Sequence, residues 1–413
     1  HTLGHDRSPP QIAKRLQSAA SLGVVQPAGG RNGVSTVPST STLPRTFRPN
    51  TLECNVRLSQ RVLTATIAVA TVALAAPAAI APASAAKTVK VGLAYDIGGR
   101  GDKSFNDAAA RGLDKAKKEL KVSVKEVSAT AGGAASERED KLRLLAQAGY
   151  NPIIAVGFLY AESVGKVAAE FPKTQFAIID DSSVKQPNVS SLVFAEEQGS
   201  YLAGVAAAKA SKSGKIGYIG GVRIPLLQKF EAGFVAGVKA TKKSATVDVK
   251  YVTEPPDFGG FNDPAKAKVI ANGMIDAGAD VIYAAAGGSG KGLFEAAVAA
   301  AAAGKKVWTI GVDSDQYLTA SADEKKNMLT SMLKRVDVAV FDAIQAAVKG
   351  KKVADDIGAG AGIQGRRYDL KNNGVGLSTS GGYLKKLKLE AAVAAATGNI
   401  KSGKVKVPTT PAA

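Results

Sequence analysis

From Val89 onward, short apolar runs of strand length alternate with amphipathic helical patterns along almost the whole chain. The strand-like runs are 89–95, 122–127, 152–156, 175–180, 190–194, 215–219, 247–252, 280–285, 306–312, 328–331 and 375–378. Helical periodicity fills most of the gaps, as at 104–120, 137–148, 160–170, 198–211, 226–241, 264–277, 290–304 and 333–349. Repeated strand–helix units predict parallel sheets with helices on both faces. The chain has 413 residues, 45% of them hydrophobic, which is enough core for two domains. Residues 198–211 are the natural exit from a first lobe, with a return near 328–334 and a further crossing after 350. Three crossings make a hinge, and a ligand then sits between the lobes.

Three strand-like runs end in carboxylates: LAYD at Asp96, FAIID at Asp180 and WTIGVD at Asp313. Open α/β sheets bind ligands beyond the carboxyl ends of their strands. Taken singly, each Asp reads as a helix N-cap or a turn former. Together, with no histidine nearby, they suit ligand hydroxyls or ring N–H groups, the demand of a sugar or nucleoside. Their spacing offers no close metal chelate, so no metal and no cofactor are expected.

The stretch DIGGRGDKSFND, Asp96 to Asp107, joins the first strand to the first helix. Its Asp96, Phe105 and Asn106 offer an acid, a ring and an amide, groups suited to a neutral ligand with a flat ring. Gly287 opens GGSGKG after the strand VIYAAA. That run lacks the glycine at 285 and the Ser/Thr at 292 of a phosphate loop, since Ala285 and Gly292 stand there. A close backbone approach to a ligand is the better reading. Tyr283, near the end of the same strand, is a candidate to present a ring opposite Phe105, although both rings also suit a core. Lys334, at the return crossing, is a surface lysine by pattern alone, or reaches a ligand's hydroxyls or Asp313.

The only histidines, His1 and His5, and the only cysteine, Cys54, precede the folded part. Ser-His-Asp and Cys-His nucleophiles, Cys/His zinc sites and disulfides are therefore excluded after residue 85. The net charge is +19. Residues 1–85 carry eight Lys/Arg against two Asp/Glu, leaving +13 spread over lysine-rich faces. No basic stripe interleaves with aromatics, so nucleic-acid binding is not expected.

Residues 1–56 are rich in Ser, Thr, Pro, Gly and Arg and read as a disordered extension. Residues 57–85 carry Arg57 and Arg61, an apolar run from Val62 to Ile80 and Ala83-Ser84-Ala85. That order is a secretory signal with cleavage after Ala85; an uncleaved anchor is the rival. The protein is expected to be exported, extracellular or held at the outer face of the plasma membrane.

Several segments together resemble the basic membrane protein family of substrate-binding proteins of ABC transporters. They are DIGGRGDKSFNDAAARG at 96–112, FAIIDD at 176–181, PNVSSLVFAEEQGSYLAG at 187–204, IGYIGG at 216–221 and FEAGFVAGV at 230–238. FNDPAKAK at 261–268, GADVIYAAAGGSGKG at 278–292, IGVDSDQ at 310–316 and TSMLKRVD at 330–337 continue the match. The resemblance implies an α/β, type I periplasmic-binding-protein fold: two Rossmann-like lobes joined by three hinge strands. Residues 86–385 would form the two-lobed solute-binding domain. Lobe 1 would span about 88–197 and 333–350, and lobe 2 about 198–330 and 353–385. Residues 386–413 would add a C-terminal helix and tail.

The resemblance also implies roles. Phe105 and Tyr283 would stack on the two faces of a base. Asn106 and Asp180 would contact its edge, with Asp96 nearby, and Asp313 and Lys334 would hold ribose hydroxyls. The implied protein is a monomeric receptor that delivers a purine nucleoside to a membrane permease, without chemistry. A receptor of the same fold for a sugar or another small molecule, or a carboxylate-based hydrolase, remains as an alternative. Family members commonly end the signal in an acylated cysteine; here Cys54 precedes the apolar run and nothing near Ala85 can be acylated.

Overall fold

The computed structural model describes residues 88–130, 132–352, 355 and 363–412. The expected extension, 1–56, and signal segment, 57–85, lie outside the described residues. Among the described residues, no helix is long and apolar enough to cross a membrane.

The first half runs β1 (Lys90–Tyr95), α1 (Phe105–Leu120), β2 (Ser123–Ser128), α2 (Ala135–Gln147), β3 (Ile153–Ala155), α3 (Ala161–Glu170), β4 (Phe176–Ile179) and β5 (Val189–Phe194). The second runs α4 (Glu196–Ala210), β6 (Lys215–Val222), α5 (Pro225–Thr241), β7 (Thr246–Thr253), α6 (Pro264–Asp276), β8 (Val281–Ala285), α7 (Gly290–Ala302), β9 (Trp308–Asp313), the short α8 (Ala322–Lys325) and β10 (Met328–Lys334). Then follow α9 (Val336–Val348), β11 (Gly365–Tyr368), β12 (Val375–Leu377) and a C-terminal helix, Glu390–Lys401.

Two six-stranded sheets result, in the orders β11-β5-β4-β3-β1-β2 and β12-β10-β9-β8-β6-β7. Every pairing is parallel except β10 with β12. The central strands β3, β4 and β8 are buried at every residue. They carry near-continuous apolar runs because helices cover both faces of a parallel sheet. This is the type I periplasmic-binding-protein fold.

The chain passes between the sheets three times: at Ala195, at Arg335, and through residues 369–374. The third passage differs from expectation. Gly365–Tyr368 pairs in parallel with β5 and so belongs to the first sheet, whereas the pattern had put 353–385 with the second. Its two central arginines hide the strand, while Tyr368 stacks on Phe194 with ring centroids 5.1 Å apart.

Helix α9 returns to the first lobe and packs on α1. Helices α4 and α5 cross closely in the second lobe. A Cβ at Gly204 would strike the Phe234 carbonyl, and one at Gly237 the Tyr201 carbonyl. Both packings leave the carboxyl ends of the strands facing a shared cleft.

Candidate functional site

A cavity lies where the two sets of strand ends meet. Its polar lining comes from Asp96 after β1, Asp102 and Asn106 around the start of α1, Asp180 after β4, Asp313 ending β9 and Lys334 ending β10. Asp313 sits beside Leu333 in the β9–β10 register, which brings Lys334 next to it. Four aromatic rings complete the wall: Phe105, Phe158, Phe230 and Phe261.

Asp180 and Asp313 both take a positive φ, 68° and 63°. Aspartate tolerates that left-handed conformation better than most residues, and here it ends a strand abruptly. Asp96 Oδ1 accepts a hydrogen bond from the Ile97 amide at 2.8 Å. Gly157 faces the same carboxyl with φ 108°, and a Cβ there would strike it. Glycine at 157 therefore keeps Asp96 in place.

The DKSFN turn is held by its own side chains. Asp102 accepts from the amides of Ser104 at 2.8 Å, Asn106 at 2.8 Å and Asp107 at 3.0 Å, satisfying the open N–H groups of α1. Asn106 accepts from the Asp96 amide at 3.1 Å and donates to Ile97 O and Asp102 Oδ2, both at 3.2 Å. It lines the cavity, but both amide hydrogens are committed to the loop. Ser104 Oγ crosses the cleft to Asp313 Oδ2 at 2.7 Å and Val312 O at 3.2 Å, and Ser314 Oγ donates back to Ser104 O at 2.5 Å. The lobes are thus directly bonded to one another beside the cavity.

Lys334 is 2% exposed and Asp180 has 4% of its side chain exposed. The ammonium donates to Asp180 Oδ2 at 2.6 Å and lies 3.2 Å from Glu196 Oε1. Lys334 thus pairs with Asp180 and Glu196, not with Asp313 as its position had suggested. The rings of Phe105, Phe194 and Phe230 surround the ammonium at 5.2, 5.2 and 5.5 Å from their centroids. Burial opposes its charge, but Asp180, Glu196 and Asp313 outweigh that and hold its pKa above the usual lysine range. Asp180 Oδ1 is buried with no hydrogen-bond partner.

Burial pushes the carboxyl of Asp96 up to about 7 and that of Asp313 up to about 6, despite the Ile97 amide at one and Lys334 at the other. Asp180 is raised as well, by burial first, with Lys334 opposing. A cavity lined with desolvated carboxyls and an orphaned acceptor favours a ligand that brings hydrogen-bond donors.

Seven of the eight sequence candidates line this cavity: Asp96, Phe105, Asn106, Asp180, Gly287, Asp313 and Lys334. Tyr283 does not. Its ring is fully buried in the second lobe against Phe234 and Tyr218, at 5.1 and 5.7 Å, and its hydroxyl lies 3.4 Å from Ser200 Oγ. The sheet places it away from the cleft, and the rings that line the cavity besides Phe105 are Phe158, Phe230 and Phe261. These rings sit on a turn, on α5 and on a second turn, where strand periodicity gave no signal. Phe230 and Phe261 nonetheless begin two of the segments that carried the family resemblance.

The model of a family described as PnrA-like substrate-binding proteins of ABC transporters, Bmp, matches residues 88–405. The chain belongs to the Bmp family. A Bmp relative from Lactococcus lactis subsp. cremoris, named ABC transporter nucleoside-binding protein BmpA, is 36% identical over 330 residues, 78% of this chain and 89% of that protein. Basic membrane protein B of Borreliella afzelii is 34% identical over 307 residues, 73% of this chain and 84% of its own. A solved ABC transporter solute-binding protein from Aeropyrum pernix K1 superposes with a TM-score of 0.64 at 29% identity. It covers 78% of this chain and 93% of that one. As a Bmp protein the chain is a substrate-binding protein rather than an enzyme by family, with a small-molecule ligand and a permease as the partners the family implies.

Proposed function

We propose that this Bmp protein is an exported receptor that captures a purine nucleoside between its lobes and delivers it to a membrane permease as a monomer. The observation that carries the reading is the cavity's mixed lining. Buried carboxyls, one with an orphaned oxygen, stand among phenylalanine rings. A nucleoside supplies the complement: a flat base for the rings, and N–H and hydroxyl donors for the carboxyls. The name of the lactococcal relative points the same way.

In this reading Phe105, with Phe230 or Phe158 across the cavity, sandwiches the base. Asp96 and Asp180 take donors from the base edge. Asp313 and Lys334 hold the ribose, Lys334 as the donor. Asn106 and Gly287 shape the wall. Binding favours the closed arrangement already bridged by Ser104 and Asp313, and closure presents both lobes to the permease.

The test is recovery of the ligand. The full chain is incubated with inosine, guanosine, adenosine, uridine and ribose, washed, and denatured, and the released compound is identified. Retention of an unaltered purine nucleoside supports the reading. Recovery of free base and ribose indicates hydrolysis, and retention of ribose alone indicates a sugar receptor.

A further inference from the structure

The first turn of α4 reaches both of the other passages between the sheets through three consecutive side chains. Glu196 Oε1 lies 3.2 Å from Lys334 Nζ, just before the second passage. Glu197 Oε1 accepts from Arg367 of β11 at 2.5 Å, and Gln198 Oε1 accepts from the Leu370 amide at 3.1 Å, inside the third. Glu196 is 1% exposed and is not part of the cavity wall. Its Oε2 has no hydrogen-bond partner, and the Lys229 ammonium stands 3.8 Å away. A buried carboxylate with one idle oxygen is costly unless its charge is used.

We propose that Glu196 is a positioning residue for ligand binding, holding the Lys334 ammonium on the hinge side of the cavity and so linking occupancy of the site to the hinge. The proposal rests on the cleft-binding reading above. Lysine has three donor hydrogens. With Asp180 and Glu196 as partners, one remains for a ligand oxygen. Without Glu196, the ammonium loses the partner on its hinge side and is held by Asp180 alone, so it is no longer fixed where it donates to a ligand oxygen.

The charged groups facing Asp180 are Lys334 on β10, Glu196 on α4 and Lys229 on α5, with Asp96 on the same sheet and Asp313 on the other. Glu196 repels the Asp180 carboxylate, so neutralising Glu196 lets Asp180 ionise at lower pH. That gives a readout which a merely structural role would not move.

Glu196→Gln is the test variant, in the full chain. Its affinity for the purine nucleoside that the parent retains should fall about tenfold at pH 8, about 1.4 kcal/mol. The acid limb of its binding–pH profile should move to lower pH. Glu196→Asp, which keeps the charge but retracts it, should fall between the two and serves if the glutamine variant does not fold. Unchanged affinity, or a loss of affinity with an unmoved pH profile, overturns the proposal. A ligand-free measurement separates it from the assignment of the ligand. Reductive methylation of Lys334, followed by peptide mass spectrometry, should be at least several-fold faster in the variant, with exposed Lys305 as the internal reference. If the parent retains no nucleoside, the ligand assignment falls, and an unchanged Lys334 methylation rate overturns the role of Glu196 independently.

Discussion

Lys334 Nζ, at the end of a strand of the second sheet, lies 2.6 Å from Asp180 Oδ2, at the end of a strand of the first. This pair crosses the cleft at the cavity wall with both side chains almost fully buried. Removing one partner of a buried pair leaves the other charge uncompensated. Lys334→Met should therefore destabilise the unliganded chain by about 3–5 kcal/mol, read from urea unfolding. Adding Asp180→Asn should restore part of that loss, because it removes the stranded carboxylate.

The aromatic wall makes a prediction that separates it from the core. Phe105→Ala and Phe230→Ala should each weaken purine nucleoside binding by about 1–3 kcal/mol, the value of a base stacked on a ring. Tyr283→Phe should leave affinity within about twofold, because its hydroxyl meets only Ser200 and its ring lies in the core. Equilibrium dialysis of the three variants checks all of this.

Carboxyls whose pKa is raised by folding hold protons more tightly in the folded chain than in the unfolded one. Asp96, pushed up to about 7, and Asp313, pushed up to about 6, act in this sense, and Asp180 adds to it. The stability of the unliganded chain should therefore fall as pH rises from the ordinary carboxylate range to about pH 7, by about 1.4 kcal/mol per pH unit for each extra proton held. Thermal unfolding across that window measures it. A ligand that donates to these groups favours their ionised form, so binding should strengthen from pH 5.5 to pH 8 (roughly the window of these shifts) and release protons. Calorimetry in buffers of different ionisation enthalpy counts them.

Closure has its own contact. Ser104→Ala removes the bonds from Ser104 Oγ to Asp313 and Val312. A hydrogen bond to a charged group contributes about 1.5–3 kcal/mol, so affinity should fall by roughly 10- to 150-fold. Small-angle scattering of the unliganded variant should show a larger radius of gyration than the parent.

Most of the fold was legible because parallel strands buried on both faces leave unmistakable apolar runs. IIA at Ile153–Ala155 and FAII at Phe176–Ile179 needed only length and flanking turns to be read. The strand GRRY was not legible, since its two central residues are arginines and its burial comes from Tyr368 alone among its larger side chains. The strand-end acids were legible for the same reason as the strands that carry them. Tyr283 failed because VIYAA is buried throughout, so alternation cannot say which face meets a ligand. The pairing of Lys334 with Asp180, 154 residues apart in sequence, and with Glu196 depends on how the two sheets meet, which no local pattern encodes.

The most direct measurement is a calorimetric titration of the full chain with inosine, guanosine, adenosine, uridine and ribose at pH 8. Calorimetry is preferable to fluorescence, because Trp308 begins β9, packed on Tyr383, while Asp313 ends that strand at the cavity. Saturable binding of a purine nucleoside at one site per chain, micromolar or tighter and abolished in Lys334→Met or Asp180→Asn, is the expected result. Tight binding of ribose without any nucleoside, or nucleoside binding that survives both substitutions unchanged, would contradict it.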